Sequence, residues 1–164
     1  MTHPHPAWEA FFDNPTEAEI KNLHKFIKES NRIEGIIRHP SKAEKAIHAW
    51  FLRQPAIGVA ELEQFVSAVQ PRAVLRDRIG LNVRVGDHIA PAGAPEIRTN
   101  LMILLQQNIK AQPLHQAYLN LHPFTDGNGR SSRALWLYMM GPEALHLGFL
   151  HLWYYQSLSA GDRR

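Results

Sequence analysis

The chain has 164 residues, of which 45% are hydrophobic and 20% are charged, a composition typical of one globular domain with its own core. It contains no cysteine, which excludes disulfides, zinc–thiolate sites and a thiol nucleophile. The formal net charge of +3 is too small to predict a nucleic-acid-binding protein. No apolar stretch is long enough to span a bilayer, and no secretory signal is visible. We therefore expect a cytoplasmic protein, with leaderless export as an effector left open.

The first elements in chain order are an irregular arm and a helix. Residues 1–15 are expected to be loop-like up to Asn14-Pro15. Thr16 followed three residues later by Glu19 predicts a capping box, and Gly35 favours the end of the helix that this box begins. Apolar side chains recur inside it at helical spacing, at Ile20, Leu23, Phe26 and Ile27.

Helical periodicity also dominates the rest of the chain. It predicts further helices that begin at Ser41 and Glu96 or cover Val59–Val69, Pro113–Leu121, the region of Trp136 and roughly Ala144–Leu158. The tryptophans of these patterns are expected to be core anchors, at Trp8, Trp50, Trp136 and Trp153. The basic run Arg72, Arg76 and Arg78 is expected to be a solvated face.

A single segment has the period of a β-strand. Leu81, Val83 and Val85 alternate with polar residues, and Gly86-Asp87 can form the type II′ turn of a hairpin. Together these patterns predict a mostly α-helical bundle with one small β-hairpin.

A polar, glycine-rich stretch at residues 122–133 has a different character from the apolar helical patterns around it. Its glycines let the backbone expose successive N–H groups, which cradle an anion where a helix begins. Arginine forks suit phosphate oxygens, an aspartate suits Mg²⁺, and a histidine can act as a base. Singly, these residues are also typical of turns, helix caps and solvated loops. In combination they favour phosphate chemistry.

This stretch resembles the signature of the Fic (Fic/Doc) family, His-x-Phe-x-(Asp/Glu)-Gly-Asn-Gly-Arg-x-x-Arg. All eight specified positions are present, at His122, Phe124, Asp126, Gly127, Asn128, Gly129, Arg130 and Arg133. The resemblance implies a helical Fic fold over residues 16–160. It also implies transfer of a nucleotide monophosphate from a nucleoside triphosphate to a Ser, Thr or Tyr hydroxyl of a target protein, most often as AMPylation with ATP. The last residues, 161–164, are expected to be a frayed tail.

The resemblance further implies a role for each residue of the signature. His122 would deprotonate the target hydroxyl, Asp126 would hold Mg²⁺, and Phe124 would anchor the loop. The phosphates would be bound by Gly127, Asn128, Gly129, Arg130 and Arg133, with the Asn128 amide on the α-phosphate. The Doc-type variant, which phosphorylates its target, has a lysine in place of the second glycine of the signature. The glycine at this position therefore disfavours a kinase.

A second segment, Ser30 to Gly35, resembles the inhibitory motif of the family, (Ser/Thr)-x-x-x-Glu-(Gly/Asn). The resemblance implies that Glu34, on an inhibitory helix over about residues 16–35, pairs with Arg133 and blocks the γ-phosphate position. A solvated glutamate on a helix is the alternative interpretation of this short pattern. Removal of AMP from a target is a further activity that the same glutamate supports in some relatives.

The predicted hairpin occupies the place of the flap on which Fic proteins dock their target. Its residues are Leu81, Asn82, Val83, Arg84, Val85, Gly86, Asp87 and His88. An exposed hairpin edge can add a strand of a target protein, although a plain surface hairpin would look the same in sequence. The C-terminal residues from Trp153 to Leu158 resemble the closing helix of the domain.

Three functions remain open from the sequence. The first is a self-inhibited adenylyltransferase with ATP, Mg²⁺ and a target protein as partners, or a related kinase or other phosphate transferase. The second is a nucleotide-binding regulatory module without turnover, and the third is a basic interaction protein for nucleic acid. We expect no membrane partner, and a homo-oligomer is left open. The ten histidines show no metal-ligand spacing.

Overall fold

The computed structural model describes residues 1–146. The last predicted helix, roughly Ala144–Leu158, lies almost entirely outside this range, and Trp153 and the predicted tail at 161–164 lie wholly outside it. Only the first three residues of that predicted helix are described, and they belong to a short 3-10 helix, Pro142–His146.

Helices make up most of the described chain, as predicted. In order they are α1 (Ala7–Asp13), α2 (Glu17–Ile33), α3 (Lys42–Leu52), α4 (Val59–Val69), α5 (Glu96–Gln106), α6 (Ala111–Leu121) and α7 (Asn128–Met140). Strands β1 (Arg84–Val85) and β2 (His88–Ile89) form an antiparallel hairpin between α4 and α5. None of the helices within residues 1–146 has the length and apolar character needed to cross a membrane.

Helix α7 is the centre of the bundle. It packs against α2, α3, α4 and α6, and its residues 130–138 are all buried. Trp8 and Trp136 are buried core residues as predicted, whereas Trp50 is only partly buried at the edge of the core. Because α7 begins at the glycine-rich stretch, the core also fixes the position of that stretch.

Side-chain caps set the beginnings of α2 and α3. The predicted capping box is confirmed, because Thr16 Oγ1 accepts from the Glu19 N–H at 3.1 Å and Glu19 Oε1 accepts from the Thr16 N–H at 3.0 Å. Ser41 and Glu44 form the same box at α3. Gly35, with φ +76°, follows the end of α2 as predicted.

The prediction of an irregular arm over residues 1–15 is wrong. This segment contains α1, whose Trp8 indole donates to the carbonyl of Tyr138 at 3.1 Å. Thr2 forms an antiparallel bridge with Ile57. A helix of seven residues has little stability of its own, so tertiary packing, which the local pattern does not contain, stabilises it.

The hairpin is shorter than predicted. Arg84 pairs with Ile89 and Val85 with His88, and Gly86 at the turn has φ +57°. Residues 81–83 are not in a strand, because the polar groups of Leu81 and Asn82 have partners outside it. The Leu81 carbonyl accepts from Arg76, and Asn82 Oδ1 accepts from the Gly93 N–H at 2.8 Å.

Candidate active site

The glycine-rich stretch is a tight loop between α6 and α7. His122 caps α6 in the left-handed conformation, with φ 50° and ψ 62°, which is uncommon for a residue other than glycine. Gly127 precedes α7 with φ +80°, and a Cβ there would lie 3.3 Å from Val66 Cγ1. The two left-handed residues end α6 and begin α7 only five residues apart, and the two helices pack against each other.

Phe124 and Asn128 hold this loop in place. Phe124 is buried as predicted, and its backbone makes an isolated bridge with Leu75. Asn128 Oδ1 accepts from the Phe124 N–H at 2.9 Å, and Asn128 Nδ2 donates to the Phe124 carbonyl at 2.8 Å. The side-chain amide predicted to touch the α-phosphate is thus engaged by the loop backbone in this structure.

The imidazole of His122 is partly buried beside charged groups. Burial is the main cause that lowers its pKa, and the nearby Arg76 and His88 lower it further. A backbone hydrogen bond with Leu119 and the charge of Glu34 act in the opposite direction. The net lowering of the pKa keeps the imidazole neutral at neutral pH, so that it can accept a proton.

The two arginines of the signature are buried and point to different partners. Arg130 donates to the Val69 carbonyl at 3.1 Å and to Gln70 Oε1 at 3.2 Å, at the C-terminal end of α4. Arg133, only 1% exposed, extends instead towards α2. Both guanidinium groups therefore lie beside the first turns of α7, but Arg130 is held by the end of α4 and Arg133 by α2.

Ser30 and Glu34 bind the guanidinium of Arg133 together. Arg133 Nε donates to Ser30 Oγ at 2.8 Å, and Nη2 donates to the Ser30 carbonyl at 2.9 Å and to Glu34 Oε1 at 2.7 Å. Glu34 remains 38% exposed on its side chain. The pair that the resemblance implied is thus present in the geometry, with one partner buried and the other close to solvent.

The carboxylate of Glu34 also lies against the first turn of α7. A Cβ built on Gly129 would collide with Glu34 Oε1 and would lie 3.0 Å from Arg133 Nη1. Glycine at this position lets an oxygen anion approach the helix N-terminus, where the N–H groups of the first turn have no intrahelical acceptor.

Asp126 is exposed at the beginning of the same helix. Its Oδ1 accepts from the Gly127 N–H at 2.7 Å. Within residues 1–146, no three His, Cys, Asp or Glu side chains cluster closely enough to hold a metal ion by themselves. An exposed carboxylate at the start of a helix fits Mg²⁺, which is commonly bound by one or two carboxylates together with the phosphates of a substrate.

The hairpin lies near the C-terminal end of α6. His88 Nε2 is 2.9 Å from the Asn120 carbonyl, two residues before His122. All four residues of its strands are exposed. The predicted flap is therefore close to the loop that carries the candidate base.

One arginine beside the candidate site, Arg76, was predicted to be exposed, and this prediction is wrong. Arg76, predicted to lie on a solvated face, is completely buried, whereas its neighbours Arg72 and Arg78 are exposed. Its guanidinium donates to backbone carbonyls that are distant along the chain, and no local periodicity could have revealed these acceptors.

Two further contacts that support the candidate site could not be predicted from the sequence. Tyr118 OH and Ser131 Oγ are 2.8 Å apart in the core, and Ser131 Oγ donates to the Gly127 carbonyl. Glu44 Oε2 accepts from Asn31 Nδ2 at 3.0 Å and so supports the end of α2. The spacing of Ser41 and Glu44 could have indicated the cap on α3 but not this second contact.

Comparison with protein families agrees with this geometry. The model of the Fic/DOC family matches residues 14–140, which include α2, the hairpin, the loop and α7. No curated protein matches the chain.

Proposed function

The chain belongs to the Fic/DOC family, and on this premise we propose that it is a protein adenylyltransferase that Glu34 holds in an inhibited state. Its substrates are ATP and a Ser, Thr or Tyr hydroxyl of a target protein. The observation that carries the proposal is the fixed loop between α6 and α7, which has the neutral imidazole of His122 at one end and, at the other, the first turn of α7 with Glu34 against it.

His122 is the base of the proposed reaction. Its neutral imidazole takes the proton of the target hydroxyl as the hydroxyl oxygen forms a bond with the α-phosphorus. The bond between the α-phosphorus and the bridging oxygen breaks, and pyrophosphate leaves with that electron pair. The product is the AMP ester of the target side chain.

The first turn of α7 provides the phosphate site. Its N–H groups and the helix dipole attract the phosphate oxygens, and the flexible backbone at Gly127 and Gly129 lets them approach closely. Arg130 and Arg133 add two positive charges at this end of the helix. Asp126 would hold Mg²⁺ against the nucleotide, and the ion would supply charge neutralisation for the phosphates.

Inhibition follows from the competition between Glu34 and a phosphate for the same arginine. The carboxylate accepts a hydrogen bond from the Arg133 guanidinium and lies beside the Cα of Gly129. A γ-phosphate at this place would find that donor already occupied and would be repelled by the negative charge of Glu34. Its partial exposure allows the carboxylate to move away without unfolding the core. ATP that binds beside Glu34 would have its α-phosphate misplaced for in-line attack.

The test uses Mg²⁺ with ATP that carries its label at either the α- or the γ-phosphate. Wild type, Glu34→Gly and Glu34→Gly/His122→Ala are compared for self-modification and for labelling of lysate proteins. We expect α-label only, at least about tenfold stronger in Glu34→Gly, since a lost competing interaction of about 1.4 kcal/mol corresponds to tenfold. The double variant should show none.

A matched control makes the same substitution at the other end of α2. Glu17→Gly, at an exposed position, should label like wild type. Label from γ-ATP alone would replace the proposal with a kinase, and equal labelling by wild type and Glu34→Gly would contradict the inhibition. An absence of label in every variant would contradict nucleotide transfer itself.

A further inference from the structure

Arg76 is a buried cation whose side-chain partners are backbone carbonyls. Its Nε donates to the His122 carbonyl at 2.7 Å and its Nη2 to the Leu121 carbonyl at 2.9 Å. Its Nη1 donates to the carbonyls of Leu81 and Pro91 at 3.1 and 2.7 Å. One guanidinium therefore collects four acceptors from three segments of the chain.

These acceptors belong to two structures with different proposed tasks. Leu81 and Pro91 are the two stems of the hairpin, one on each side of the paired strands. Leu121 and His122 are the end of α6 and the residue of the candidate base. The backbone of Arg76 adds to the junction, because its N–H donates to the Pro123 carbonyl at 2.8 Å and its carbonyl accepts from the Ala94 N–H at 3.1 Å.

The charge of Arg76 is stabilised by peptide dipoles. Among residues 1–146, no carboxylate forms an ion pair with it. Leu121 and His122 end α6, where the helix dipole is negative, so a cation is favourable there. A planar fork with several donors can satisfy four carbonyls at fixed angles, whereas the single ammonium of lysine cannot.

We propose that Arg76 is a positioning residue, which fixes the hairpin against the His122 loop and so sets the distance between a docked target strand and the imidazole. This inference rests on the proposed function and on the docking of the target at the hairpin, which the family resemblance implies. The contact of His88 with the Asn120 carbonyl is a second, exposed tether on the same side. Arg76 is the buried tether and holds both stems at once.

A distance measurement tests the positioning without any catalysis. Because the chain has no cysteine, spin labels can be attached to introduced cysteines alone. One pair, Ser67→Cys with Asp87→Cys, reports the hairpin against α4, and a second, Ser67→Cys with Lys110→Cys, reports the helices. Both pairs are measured in otherwise wild-type protein, in Arg76→Lys and in Arg72→Lys, which makes the same substitution at an exposed arginine.

We expect Arg76→Lys to broaden the distance distribution of the hairpin pair and leave the helix pair unchanged. Arg72→Lys should leave both unchanged. A hairpin distribution as narrow as that of the wild type in folded Arg76→Lys would overturn the proposal. Broadening of both pairs would also overturn it, since Arg76 would then stabilise the fold in general.

A second readout connects the positioning with the reaction. In the Glu34→Gly background, Arg76→Lys should lower α-label transfer to proteins about tenfold and change the affinity for ATP, measured by calorimetry, less than twofold. An equal loss of ATP affinity would overturn the proposal. If no variant transfers label, the adenylyltransferase function fails, and the distance measurement still decides the role of Arg76.

Discussion

The end of α2 and the hairpin are two segments of similar length that contact the candidate site in different ways. Ser30 and Glu34 reach Arg133 through side chains, and Ser30 is itself buried. The hairpin strands are exposed, and their stems are held by carbonyls that bind Arg76. One segment is thus defined by particular side chains and the other mainly by its backbone.

This difference explains why sequence is informative about one segment and less so about the other. A carboxylate that must reach one guanidinium needs a glutamate at one position, here the residue that caps the end of α2, so a short motif can be recognised. A strand edge that binds another chain through N–H and C=O groups tolerates many side chains. The proposed inhibition should therefore respond to single side-chain changes, and target docking to changes in the backbone.

The largest expected effect on stability is the loss of folding free energy in acid, which comes from two buried histidines, His48 and His115. Burial lowers the pKa of His48 to about 4, with Arg130 and Arg133 contributing. Burial likewise lowers the pKa of His115 to about 4, with Arg133 contributing. An unfolded chain has histidine pKa values of about 6.5 and binds more protons between these limits. The free energy of unfolding should fall from pH 6.5 to pH 4, by up to about 3 kcal/mol per histidine.

Denaturant titrations at several pH values measure this slope. His48→Leu should flatten this slope by the contribution of one histidine, because it removes one of the two buried groups that take up protons on unfolding. Within residues 1–146 the imidazole hydrogen-bonds to the Glu44 carbonyl of its own helix, at 2.7 Å. His39→Leu, at an exposed position, is the matched control. A slope that His48→Leu leaves unchanged would contradict the assignment.

The next largest effect is expected at Glu44, which supports the end of α2 from α3. Its carboxylate accepts from Asn31 and, at 2.6 Å, from Arg38. Glu44→Ala leaves the buried Asn31 amide without its acceptor and removes the capping box of α3, whereas the Arg38 guanidinium is exposed to solvent. The substitution should lower the free energy of unfolding by about 2–4 kcal/mol. It should also raise α-label transfer, because Glu34 is then held less firmly.

Glu19→Ala is the control for this prediction, since it removes a partly exposed capping-box glutamate from the other end of α2. It should cost about 1 kcal/mol and leave transfer unchanged. If Glu44→Ala destabilises the protein and leaves transfer at the wild-type level, the anchoring of Glu34 does not depend on this contact.

The smallest effects are expected from side chains of the hairpin. Ile89 is 73% exposed, so Ile89→Thr should change the free energy of unfolding by less than about 0.5 kcal/mol. In the Glu34→Gly background its labelling of lysate proteins should stay within about twofold. Ile89→Pro, which removes an N–H from the strand, should reduce that labelling strongly. Loss of labelling in Ile89→Thr would instead indicate recognition through side chains.

Much of the fold and of the candidate site could be predicted because the signals are local. The capping box of Thr16 and Glu19 lies within four residues, and the apolar spacing of α4 predicted its bounds without error. The glycines that permit the loop and the eight positions of the family signature lie within one stretch of twelve residues. These features depend on interactions between near neighbours in the chain.

The missed features all depend on distant partners. Helix α1 is held by the Tyr138 carbonyl, and the hairpin was predicted too long because Leu81 binds Arg76 rather than a partner strand. Asn128 occupies a position of the signature that sequence alone identifies, yet its side chain hydrogen-bonds to the backbone of Phe124 and so holds the loop in place. A pattern of residue types does not state which acceptors the folded chain will bring to a donor.

The sequence by itself determined a mostly helical domain, the loop of the candidate site and the family to which that loop points. The tertiary structure alone decided that Arg76 is buried, that Arg130 and Arg133 have separate supports, and that Glu34 lies against Gly129. The physical reason is that caps, turns and periodicity arise within a few residues. The burial of a charge is decided by whether distant backbone and side-chain groups converge to satisfy it.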